Sequence, residues 1–222
     1  MQKNQAVAPP KQADLHRPQR ARIEKPAVEM KEADALGEAR NSVADLSLGN
    51  VDTTRGDLAE TESSLLVHLQ LYELLGSKEG MAAAYGNLGV VYQTLGDLTA
   101  AEAMYNEALK LDDALGRKEA MAVLYGNLGR VHQTSGDDAQ AARMYEKALE
   151  VHEALGRTDG MAAASRNLGL VYQTRGDVAK AAAMYKQSIA LFAKVRAMPQ
   201  MQQVHELLDK LPAARGTPTA GT

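Results

Sequence analysis

Residues 81–120 read MAAAYGNLGVVYQTLGDLTAAEAMYNEALKLDDALGRKEA, and the chain then writes that phrase twice more. Residues 121–160 keep 21 of the 40 positions, and residues 161–200 hold the same register without a slip. Gly-Asp returns at 96–97, 136–137 and 176–177, and Met returns at 104, 144 and 184. Self-similarity at a fixed period marks a solenoid, in which each unit buries its apolar face only against its neighbours.

Within one copy the pattern predicts two helices. Tyr85, Leu88, Gly89 and Tyr92 stand at i, i+3, i+4 and i+7, one face of a helix. Gly96 stops that helix, and Asp97 caps the next, its carboxylate accepting the free N–H groups of the first turn. Ala101, Met104, Tyr105, Ala108 and Leu109 form the apolar face of the second helix, which runs to a second stop at Gly116. Gly89 and Ala101 are small enough for two backbones to approach closely, and Tyr85 and Tyr105 are expected to supply most of the buried area. The methionine ladder is expected to be core. The fold class is all-α, a solenoid of antiparallel helix pairs.

Outward from the three copies the pattern wears thin. Residues 41–80 are a degraded copy: Leu48-Gly49 and Gly56-Asp57 hold the register, but Asp45 and Asp52 replace the aromatic anchors. They are expected to form an N-terminal cap. Residues 27–40 contain Ala35-Leu36-Gly37, the phrase of Ala114-Leu115-Gly116, and read as a remnant helix that stops at Gly37. Residues 1–26 carry Pro9, Pro10 and Pro18, with Lys3, Lys11, Arg17, Arg20, Arg22 and Lys25 facing only Asp14 and Glu24, and read as a disordered basic arm. Residues 201–211, MQQVHELLDKL, show one stripe of Val204, Leu207, Leu208 and Leu211 and are expected to be a C-terminal capping helix; 212–222 is expected to be a disordered tail.

Composition excludes several function classes. The chain has no Cys, so it has no disulfide, thiolate nucleophile or thiolate metal ligand. The hydrophobic share is 45% while aromatics supply 4%, which suits Ala-rich helices better than a β-sandwich. No apolar run approaches the roughly 18 residues of a membrane span, and the N-terminus lacks a signal-peptide core, so a cytoplasmic address is expected, with no membrane partner. The net charge of −3 divides into +2 over residues 1–40, −5 over 41–200 and zero beyond, which does not point to nucleic acid. Neither His152-Glu153 nor His205-Glu206 is followed by the second His of a zinc protease motif, and no glycine run forms a phosphate loop. His132 stands at a core Tyr position and reads as an interior side chain. No enzyme, cofactor or metal is expected.

At these residues the chain resembles the tetratricopeptide repeat: aromatic, Leu-Gly, Tyr, then Ala, aromatic and Ala. The first copy gives Tyr85, Leu88, Gly89, Tyr92, Ala101, Tyr105 and Ala108. The second gives Tyr125, Leu128, Gly129, His132, Ala141, Tyr145 and Ala148. The third gives Ser165, Leu168, Gly169, Tyr172, Ala181, Tyr185 and Ser188. The period of 40 departs from the usual 34, and Asp113 stands where the family has Pro. That longer form is similar to the repeats of kinesin light chain and of the Leu-Gly-Asn spindle-orientation adaptors.

The resemblance implies a right-handed superhelix whose concave face, lined by the first helix of each repeat, binds an extended peptide. Its groove positions carry over as Asn87, Gln93 and Thr94, then Asn127, Arg130, Gln133 and Thr134, then Arg166, Asn167, Gln173 and Thr174. Amide side chains repeated in every copy can hydrogen-bond a peptide backbone without reading its sequence. Residues 81–95, 121–135 and 161–175 contain no Asp or Glu, and their Arg residues are Arg130, Arg166 and Arg175. The expected partner is therefore a protein or peptide with an acidic segment or free C-terminus near Arg130 and Arg166. The alternative is self-association as a homo-oligomer, or service as a regulatory module of a larger multidomain protein.

Overall fold

The computed structural model describes residues 55–212, with side chains from 58 onward. The expectations for the arm at 1–26, the remnant at 27–40, the first part of the worn copy and the tail beyond 212 lie outside the described residues.

Among the described residues eight helices follow one another: α1 (Arg55–Leu75), α2 (Lys78–Leu95), α3 (Leu98–Ala114), α4 (Lys118–Thr134), α5 (Asp138–Ala154), α6 (Thr158–Thr174), α7 (Val178–Lys194) and α8 (Met198–Asp209). Among the described residues there is no strand. Each helix packs mainly on the one before and the one after it in the chain, with α2 on α3, α4 on α5 and α6 on α7 forming the tightest pairs. This is the expected solenoid of helix pairs. The first helix of each copy begins three residues before the Met that opens the sequence phrase, at Lys78, Lys118 and Thr158.

The turns are built as the spacing predicts. Asp97, Asp137 and Asp177 accept hydrogen bonds from the backbone N–H three residues on, at 3.0, 2.9 and 3.2 Å. Gly96 has φ +84°, and its turn closes by Asp97 N–H donating to the Tyr92 carbonyl at 2.9 Å.

The repeat core centres on one contact made three times. Tyr105, Tyr145 and Tyr185 are 0, 1 and 0% exposed, and each ring lies on the glycine of its own first helix, Gly89, Gly129 or Gly169. A Cβ on Gly129 would come within 2.6 Å of the Tyr145 ring. Gly89 was expected to seat a backbone; it seats the Tyr105 ring instead. Tyr85 is only half-buried and contributes less than expected. Leu88, Leu128 and Leu168, with Val91, Val131 and Val171, complete the buried layer. Each fully buried Leu or Val contributes about 1.5–3 kcal/mol of transfer free energy. The methionine ladder is half-buried against this core.

Neighbouring repeats are tied by the position of Tyr92, His132 and Tyr172. Tyr92 donates to Glu62 of α1 at 2.8 Å, and Tyr172 donates to Glu146 of α5 at 3.2 Å. His132 lies partly covered, its Nε2 3.9 Å from a Glu102 oxygen of α3. At the far end α8 places Val204, fully buried, against Leu191 and Phe192. It starts at Met198 rather than at 201, with Pro199 in its first turn, where a missing N–H costs nothing.

Candidate functional site

Helices α2, α4 and α6 carry Gln93, Gln133 and Gln173 at one repeated position. Each glutamine accepts a hydrogen bond from the buried tyrosine of its own repeat. Tyr105 donates to Gln93 Oε1 at 3.0 Å, Tyr145 to Gln133 Oε1 at 3.2 Å, and Tyr185 to Gln173 Oε1 at 2.6 Å. The phenol is otherwise sealed in the core, so the amide oxygen is its outlet. The amide nitrogen is left as a donor at the surface.

The arginines organise the remaining amides. Arg130 Nη2 donates to Asn127 Oδ1 at 3.0 Å on its own helix and to Gln93 Oε1 at 3.3 Å on α2. This contact brings the first helices of successive repeats together. Arg166 donates through Nε and Nη2 to Asn167 Oδ1, each at 3.3 Å. A guanidinium only donates, so it fixes which way each of these amides faces. Asn87 has valine, Val90, where the next copy has Arg130, and its side chain makes no hydrogen bond among the described residues.

The three threonines do something else. Thr94, Thr134 and Thr174 donate to the carbonyls of Val90, Arg130 and Leu170 on their own helices, at 2.8, 2.9 and 3.0 Å. Their hydroxyl protons are spent on the helix.

The arginine charges reach the buried phenols beneath the ladder unequally. Burial pushes the Tyr145 phenol up to about 12, and the charges of Arg130 and Arg166 both pull it back. Tyr105 is likewise pushed to about 12 by burial and feels Arg130. Tyr185 is pushed to about 12 by burial with no arginine acting on it. The charges of the two arginines expected to act together both reach Tyr145, the tyrosine that bonds Gln133. The acids of these first helices lie in their first turns, Glu79, Glu119 and Asp159, at the opposite end from the glutamines. Glu119 and Asp159 are moreover paired with Arg157.

The tyrosines are the residues that sequence reasoning missed as part of this surface. Their signal was present: glutamine precedes the core tyrosine by twelve residues in every copy. Two open depressions, of about 520 and 570 Å³, lie at Asn106–Tyr125 and around Gly116, Val123 and Leu155. Neither is lined by a ladder residue.

Comparison with known proteins agrees with this architecture. The family model described as tetratricopeptide repeat matches residues 41–114 and 120–194. Among solved structures, a P. anserina putative kinesin light chain with nearly identical TPR-like repeats is similar at TM-score 0.58 and 19% identity, over 82% of this chain and 95% of that one. BtubC (BKLC) from P. vanneervenii is similar at TM-score 0.50 and 15% identity, over 86% of this chain and 94% of that one. At such identities the likeness concerns the fold alone. A search of curated protein sequences finds no match.

Proposed function

The chain belongs to the tetratricopeptide repeat family, and from that premise we propose that it is a protein–protein interaction scaffold whose ladder of amides and arginines binds an extended acidic peptide segment. Repeats of this family are interaction modules, and a partner protein is the general expectation. The finer reading is carried by one observation. Arg130 bridges Asn127 on its own helix and Gln93 on the preceding first helix, and Arg166 holds Asn167 on the next one, on helices whose own acids stand at the opposite end from the glutamines. Guanidinium groups with unspent donors recognise carboxylates by charge and by geometry together. The amide nitrogens alongside supply hydrogen bonds to a peptide backbone. We read the chain as a scaffold without catalysis, acting where acidic partner segments are available.

Fluorescein-labelled hexaglutamate is the probe that tests this. Anisotropy titration should show saturable binding that weakens as salt is raised, because the contacts are charge pairs at an open surface. Arg130→Glu with Arg166→Glu should reduce affinity by about a hundredfold or more while leaving helicity unchanged, since each replacement turns an attraction into a repulsion. Unaltered affinity in the double variant would sink the reading. Absent binding, with a sedimentation mass that grows with concentration, would put self-association in its place.

A further inference from the structure

We propose that the buried hydroxyl of Tyr145 is a positioning group: by holding the Gln133 carbonyl it turns that amide's NH₂ toward the surface between Arg130 and Arg166, and so makes the slot select a carboxylate over a side-chain amide. The inference rests on the acidic-peptide reading and names what sets its selectivity.

The argument is a count of acceptors. Four amide oxygens of the ladder, on α2, α4 and α6, accept from groups of the protein itself. Gln93 Oε1 accepts from Tyr105 and Arg130, and Asn127 Oδ1 accepts from Arg130. Asn167 Oδ1 accepts from Arg166, and Gln133 Oε1 accepts from Tyr145. Each of these oxygens is turned to a donor of the protein itself. Gln93 and Asn167 accept two bonds each and Asn127 and Gln133 one, so what the four amides keep for a ligand is chiefly N–H, with one lone pair left on Asn127 and one on Gln133.

The guanidinium groups add donors of the same kind. Arg130 commits Nη2, and Arg166 commits Nε and Nη2, which leaves Nη1 on both and Nε on Arg130. A carboxylate, which only accepts, satisfies such a surface completely. A ligand amide brings two N–H groups of its own to a surface made mostly of donors, and it lacks the charge that pairs with guanidinium.

Three of these oxygens are oriented by arginine, which has no other option. Gln133 is not, because position 170 on the next first helix is leucine where Arg130 serves Gln93. Its orientation depends on Tyr145 alone. If the Gln133 amide turned over, its nitrogen would face the phenol and the phenol proton would be left without an acceptor inside the core. The Tyr145 ring is 1% exposed and sits on Gly129, so it cannot swing out to find water. The buried ring therefore sets the surface amide.

Tyr145→Phe removes one oxygen and keeps the ring on Gly129. The test compares hexaglutamate with hexaglutamine, both fluorescein-labelled, on wild type, on Tyr145→Phe and on Tyr172→Phe. The last variant removes a hydroxyl that bonds Glu146, outside the slot. Wild type should prefer hexaglutamate by about tenfold or more, the size of one charge-assisted hydrogen bond. Tyr145→Phe should cut that ratio several-fold at nearly unchanged melting temperature, and Tyr172→Phe should leave it alone. An unchanged ratio in Tyr145→Phe overturns the proposal, as does an equal fall in Tyr172→Phe. The side-chain NH₂ signals of Gln133 in a ¹⁵N spectrum decide the positioning without a ligand. If wild type binds neither probe, the acidic-peptide reading fails by itself. The proposal's structural half then stands if Tyr145→Phe collapses those signals toward free glutamine, and falls if they do not move.

Discussion

Arg196 has φ +56°, in the left-handed region that the equivalent residues Gly76, Gly116 and Gly156 occupy without a side chain. A Cβ in that region crowds its own carbonyl, which costs about 1–2 kcal/mol. The Arg196 N–H still donates to the Ala193 carbonyl at 3.1 Å, so the turn closes in spite of the strain. Arg196→Gly is therefore expected to stabilise the chain by about 0.5–1 kcal/mol, the relief being partly offset by glycine's freedom in the unfolded chain. Thermal melts of the two proteins check it, and a lower melting temperature in the variant would refute it. The sequence spelled out the glycine stops because their residue type demands that backbone; it could not reveal Arg196, whose type does not. Gly129 carries the opposite lesson. Alanine there should favour the helix by about 1 kcal/mol on propensity alone, yet its Cβ would press into the Tyr145 ring. Packing outweighs propensity at that residue.

Helix ends carry the variation that the repeat otherwise forbids. Tyr72, Asp112, His152 and Phe192 share one position, in the last turn of the second helix. The Tyr72 ring lies on Gly80 and the His152 ring on Gly160, so the position is a joint between one repeat and the next. His152 Nδ1 is buried without a hydrogen-bond partner among the described residues. Burial holds its imidazole below the ordinary 6.5, with Asp159 opposing; Asp159 itself is held by Arg157, which also reaches Glu119. A folded-state value below the unfolded one means that the unfolded chain binds the proton first. Stability contributed by neutral His152 is thus present above 6.5 and is lost as pH falls through that value. Asp112 has the opposite sign: burial raises its carboxyl above 3.8 against the pull of Arg117, so its folded form takes up the proton first and gains as pH falls. Replacing His152 with Phe separates the two, because Asp112 is common to both proteins and an aromatic ring on glycine is already the geometry of Tyr72 and Gly80. Wild type should lose melting temperature between about pH 7.5 and about pH 5.5, and His152→Phe should lose clearly less. Equal losses would clear His152 of any part in it.

Across the whole molecule, the 40-residue period was enough to read the helix pairs, their caps and their core faces, because each of those depends on spacing along one chain. The ladder's chemistry was legible only in part. Gln, Asn and Arg could be placed on the first helices, but the direction in which an amide oxygen points depends on a donor from another element, as with Tyr145 of α5 at Gln133 and Arg130 of α4 at Gln93. The same distinction governs stability. A solenoid couples each unit to its neighbours alone, so damage should stay near where it is made. Val204 offers the test, since it is fully buried and packs with Met201, Leu207 and Leu208 on the Leu191–Phe192 end of α7. Val204→Asp puts an unpaired carboxylate there, at a cost of about 3 kcal/mol or more. In a domain with a single shared core that cost would fall on every helix. Here α2 and α3 share no core cluster with Val204, while α7 shares one and α6 contributes Met161, Ala162, Leu170 and Tyr172 to it. Amide hydrogen exchange should accordingly rise sharply in α6, α7 and α8 and hardly at all in α2 and α3. A uniform rise along the chain would mean that the repeats open as one body, and the coupling between them would then have to reach further than their buried faces do.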